Sequence, residues 1–150
     1  MRGVYTAALK IATLNSSKTL AYITAPATKA VEIIACTVTN ESNANNQQME
    51  IAIANISSLG TPTATSVTPT PHESGDQAAA STVKMNVTAS EPTYGSTISQ
   101  EGAASLVGYR HEPAPEERII VTPATSVGIR MITTPTAFDC DVRLTFREIG

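Results

Sequence analysis

A chain of 150 residues suits one domain and can bury a core without metals or a disulfide framework. Charged residues make up only 15%, against about 25% in an average globular domain, while Thr reaches 22 and Ala 21. The net charge of -3 and six scattered arginines leave no basic stripe to follow a phosphate backbone, which disfavours nucleic acid as a partner.

The longest apolar runs, such as "VEIIACTV", fall far short of the roughly 20 residues that span a bilayer. The opening "MRGVYTAALKIATLNSS" alternates instead of forming the continuous apolar stretch of a secretory signal. The expectation is therefore a chain that works in the cytosol or in something assembled there, with no membrane partner.

In chain order, "VYTAALKIA" (4–12) and "KTLAYITAP" (18–26) read as strands around the polar turn Asn15-Ser16-Ser17. "AVEIIACTVTN" (30–40) is apolar on both faces, with Ile34, Cys36 and Val38 set against Val31, Ile33 and Ala35. That pattern predicts a strand buried on both sides or packed within a larger assembly. An asparagine-rich loop, "NESNANNQQ" (40–48), precedes "MEIAIANIS" (49–57), where alternating Ile outweighs the helix propensity of Ala.

Residues 63–81, "TATSVTPTPHESGDQAAAS", form the first long connection. Prolines hold its first half extended. Ser74 to Gln77 then fits a capping box ahead of three alanines, which predicts a short helical turn. "TVKMNVTA" (82–89) alternates cleanly as a strand, with Val83, Met85 and Val87 on one face. "EPTYGSTISQEGAAS" (91–105) reads as a second long connection, and "HEPAPEER" (111–118) as a stiff, exposed corner. "RIIVTPA", "VGIRMITT" and "CDVRLTFREI" complete the chain as strands; in the last, Val142, Leu144 and Phe146 face inward.

About eight or nine strands without a long helical period predict a single all-β domain over residues 1–150. Short and long connections alternate, which favours an antiparallel β-sandwich, jelly-roll-like, with long ordered loops. Cys36 and Cys140 lie inside apolar strands without CxxC spacing and read as buried thiols.

Candidate chemistry is sparse. Each histidine precedes a glutamate, His72-Glu73 and His111-Glu112, and Asp76 could add a further oxygen. Adjacent side chains on an extended chain point apart, there is no third histidine, and HExxH spacing is missing, so no metal is expected. Serines occur without a GxSxG elbow and glycines without a phosphate loop, so neither an enzyme, a cofactor nor a small-molecule substrate is expected. The four tyrosines fall in four separate segments, which argues against a sugar-stacking platform. A neutral surface rich in Thr, Ser and Ala suits permanent contact with protein. The proline-rich connection is the favoured contact segment, with Pro69, Pro71, His72, Glu73 and Asp76 as its candidate residues.

"GTPTATSVTPTPHESGDQAAASTV" (60–83) leading to "ASEPTY" (89–94), with "TPTAFDCDVRLTFREIG" (134–150) and the opening "MRGVYTAALKIATL" (1–14), resembles the capsid decoration, or cement, proteins of tailed bacteriophages. The resemblance implies a β-sandwich, commonly trimeric, bound to a major capsid protein on the exterior of a virion assembled in the host cytoplasm. It implies no catalytic or cofactor residues. A carbohydrate- or receptor-binding β-sandwich of a phage tail or head fibre is the alternative expectation.

Overall fold

The computed structural model describes residues 3–42 and 46–150. The first four strands are β1 (Val4–Leu14), β2 (Lys18–Thr24), β3 (Ala30–Asn40) and β4 (Gln48–Ser58). A middle group follows: β5 (Thr63–Val67), β6 (Thr70–Pro71), β7 (Thr82–Ala89) and β8 (Thr93–Ala104). The chain closes with β9 (Tyr109–His111), β10 (Ile119–Val121), β11 (Ser126–Met131) and β12 (Phe138–Ile149), and a single 3-10 turn (Pro115–Glu117) sits before β10.

The strands form two antiparallel sheets packed as a β-sandwich. The first runs β10-β3-β12-β1-β6, with β9 also paired to β3. The second runs β5-β7-β2-β11-β4-β8. Pairing is nested: β1 meets β12, β2 meets β11, β3 meets β10 and β4 meets β8. The segment β5–β7 is an insertion in that nest, laid along the β2 and β1 side.

The core between the sheets is aliphatic, as the scarcity of aromatic residues demands. Ile11, Leu14, Leu20, Ile23, Ile51, Ile53, Met85, Val142 and Leu144 are fully enclosed. Each such side chain contributes about 1.5–3 kcal/mol by leaving water. Tyr5 and Phe146, opposite one another on β1 and β12, stack with ring centroids 5.6 Å apart. Both cysteines are free and buried, and burial pushes each thiol up to about 12.

Four sequence expectations need correction. The described residues form twelve strands, not eight or nine. In β3 the core residues are Val31, Ile33, Cys36 and Val38, while Ile34 and Ala35 are half-buried. Thr145 pairs with Ala35 but Phe146 pairs with Ile33, so Ile34 is the extra residue of a bulge. A bulge switches the face halfway along the strand, which is why the pattern reads as apolar on both sides.

Residues 91–105 are mostly strand, not connection, because β8 pairs with β4 over its length. The capping-box helix does not form. Gly75 takes φ +113, and the backbone from Asp76 to Ala79 is irregular. The Asp76 carboxylate accepts the Gly3 N–H at 3.0 Å, so tertiary contact outcompetes the local cap. The asparagine loop lies partly outside the described residues.

Candidate interaction surface

The proline-rich connection crosses from one sheet to the other. β5 pairs with β7 in the second sheet, and two residues later β6 pairs with β1 in the first. Pro69 is buried at the crossing, and Pro71 lies opposite Tyr5. Proline suits both places, because a crossing point and a two-residue edge strand need few N–H donors.

His72 donates its backbone N–H to Val4 O at 2.9 Å, and its ring Nε2 lies 2.7 Å from Thr6 Oγ1. The Glu73 carbonyl accepts the Asp76 N–H at 3.1 Å, closing a turn around Gly75. Tyr5 donates its hydroxyl to Gln77 O at 3.0 Å. The five candidate residues are thus brought together, but against this chain's own first strand. His72 remains exposed; Pro71, Glu73 and Asp76 are half-buried.

The far end of the segment is anchored by Glu148, whose side chain is 4% exposed. It accepts the Ser81 N–H and hydroxyl, both at 2.7 Å, and lies 3.3 Å from Lys29 Nζ. Burial acts to raise the carboxyl pKa, but the donors from Ser81 and Lys29 outweigh it and hold the group below its ordinary value. Glu32 on β3 is a second enclosed carboxylate, paired with Arg147 at 2.7 Å and Arg118 at 3.7 Å. Both acids are held by cations and serve structure.

The two His-Glu pairs do not meet. His72 follows β6 at one edge of the first sheet, and His111 ends β9 at the other, with β3, β12 and β1 between them. Burial holds His111 below its ordinary pKa, and Glu112 bonds to Arg110. Among the described residues, no group of three or more His, Cys, Asp or Glu could hold a metal ion. Among the described residues, no helix is long and apolar enough to cross a membrane.

On the outer face of the second sheet, Tyr94 covers the strand that Gly128 occupies beside Tyr22. Tyr94 stacks on the Arg130 guanidinium at 4.7 Å and reaches Thr19 Oγ1 at 2.6 Å. Beneath it lies Gly128, where a Cβ would come within 2.5 Å of the phenol oxygen. Tyr5, Tyr22, Tyr109, Phe138 and Phe146 are buried, and Tyr94 is half-buried. An aromatic platform for sugars would need rings open to solvent.

The sheet edges separate into two kinds. β5, β6, β9 and β10 are 5, 2, 3 and 3 residues long. β8, the outer strand of the second sheet, is 12 residues long and mostly exposed on both faces. Its second half pairs regularly with β4, from Ser99 opposite Ile53 to Ala104 opposite Gln48. That half, "SQEGAA", contains neither Lys nor Pro, the residues that commonly blunt an edge. Immediately beyond it Leu106 is 59% and Val107 84% exposed, and Ile98 just before it is 43% exposed.

Backbone direction along β8 follows from its end. Ser105 donates its N–H inward to Gln47 O at 2.8 Å. Successive residues alternate, so Ser99, Glu101 and Ala103 also face β4, while Gln100 and Gly102 present N–H and C=O outward. The partner strand agrees, because Glu50, opposite Gly102, turns its own backbone away toward Ile132 and Thr133. Sequence reasoning missed this edge. The available signal was the pairing of a Ser/Thr/Gly/Ala-rich run, with Glu101 its one charge, with the exposed apolar Leu106-Val107.

No protein-family model matches this chain, and no curated protein matches it in sequence.

Proposed function

We propose that the chain is a structural virion protein: a capsid decoration, or cement, subunit that self-associates and binds a major capsid protein on the outside of an icosahedral head. The observation that carries the reading is β8, the longest bare edge among the described residues; the other open stretch, β1 beyond Thr6, is blunted by Lys10 and a bulge before Leu14, and the remaining edges are strands of five residues or fewer. Such an edge is a template for another chain, and permanent assembly is the use that keeps it covered. The nested strand pairing reads as a jelly roll, an architecture common to capsid proteins and lectins. The neutral surface, with 15% charged residues, suits lasting contact better than steering of a small charged ligand.

A shell subunit acts by adding contacts that the lattice must break before it opens. Purified protein added to matching undecorated capsids therefore raises their disruption temperature in a concentration-dependent way. An unchanged temperature at saturating protein contradicts the reading. The carbohydrate- or receptor-binding alternative has less support, because the aromatic rings are buried or pinned. Reproducible glycan-array binding at millimolar affinity or better would reverse the order.

A further inference from the structure

Resting on the assembly reading, we infer that two copies of the chain pair through β8, antiparallel and two-fold symmetric about Gly102, joining their second sheets into one continuous sheet. The occupant of the edge is a second copy because β8 alone offers β8 a regular bare edge of its own length. A head-to-tail contact would have to use β5, β6, β9 or β10, none longer than five residues, or the stretch of β1 beyond Thr6, which Lys10 and the bulge between Ile11 and Leu14 blunt. An isologous contact uses the same patch twice and closes on itself.

The register follows from the backbone. Gln100 and Gly102 carry outward N–H and C=O groups, and Ala104 an outward N–H, its carbonyl already accepting the Val107 and Gly108 N–H; centring the pair on Gly102 sets Gly102 opposite its own copy and Gln100 opposite the other Ala104. Glu101 then faces Ala103 instead of the other Glu101, which avoids placing like charges directly opposite. The same register carries Leu106 of each copy toward Ile98 of the other. These two exposed apolar side chains, 59% and 43% open in the single chain, then cover one another. Gly102, Ala103 and Ala104 at the centre are small enough for close approach.

The test is sedimentation of the wild-type chain with two variants and one cross-link. Gly102→Pro removes an outward N–H and leaves the β4 ladder intact. Two-fold symmetry removes two bonds, so the dissociation constant rises at least about tenfold. Leu106→Ser, in an exposed turn, weakens the pair while leaving thermal unfolding of the chain unchanged.

Gly102→Cys places two thiols across a pair about 5.5 Å apart between Cα atoms, within disulfide range. Cys36 and Cys140 are both buried, so the new thiol is the accessible one. An added oxidant then gives a cross-linked dimer on a non-reducing gel. A monomeric wild type, a dimer indifferent to both Gly102→Pro and Leu106→Ser, or no cross-link at Gly102→Cys overturns the pairing. A monomer that still coats capsids sinks the pairing alone; a dimer that ignores capsids sinks the virion reading alone.

Discussion

At the residue scale, Glu148 shows how one buried carboxylate holds a long connection in place. Its pKa is depressed in the folded chain. The stability it contributes is therefore complete above the unfolded glutamate value of about 4.3, and it is lost as pH falls through the lower folded value. Glu148→Gln removes the charge that strengthens the Ser81 bonds and costs about 1.5–3 kcal/mol at pH 7. Denaturant unfolding at pH 7 and at pH 3 checks this. The gap between wild type and variant narrows toward acid, and a gap that stays constant contradicts it.

Gly128 makes a second case at the same scale. A Cβ there meets a tyrosine ring held at both ends, by Thr19 and by Arg130. Gly128→Ala destabilises by about 1–3 kcal/mol, and adding Tyr94→Ala removes most of that increment. A double-mutant cycle with no coupling would falsify the contact.

At the scale of elements, the proline-rich connection behaves as a strap. It leaves the second sheet at β5, pairs briefly with β1, turns at Gly75 and is pinned again at Ser81. Asp76→Ala frees the Gly3 N–H and loosens the start of β1, so hydrogen exchange at Gly3–Tyr5 accelerates about tenfold while β3 and β12 stay protected. Uniform acceleration across the first sheet would show instead that the strap belongs to the cooperative core.

Legibility in the sequence differs between elements for physical reasons. β12 and β7 read correctly because one face is buried and the other is not, which writes a period of two into the residues. β8 left no such trace, because both of its faces are largely exposed and its register with β4 slips at Ile98. The helix expected after Ser74 failed because Asp76 found a partner at Gly3, 73 residues away. Local propensity could not register a partner so distant. Of the expected contact residues Pro69, Pro71, His72, Glu73 and Asp76, the structure sets Pro71 and His72 against β1 and Asp76 against Gly3 just before it.

At the scale of the whole molecule, the sandwich presents β8 as its longest unpaired edge. The strap covers β1 only at Tyr5 and Thr6, β9 and β10 cover β3, and β8 has no strand on its outer side. On the proposed reading, β8 is where the chain attaches to something larger. Electron cryo-microscopy of matching undecorated heads mixed with the purified chain tests that most directly. A cement role predicts ordered density for the sandwich on the outer surface of the shell. Shells that remain bare at saturating protein would contradict it.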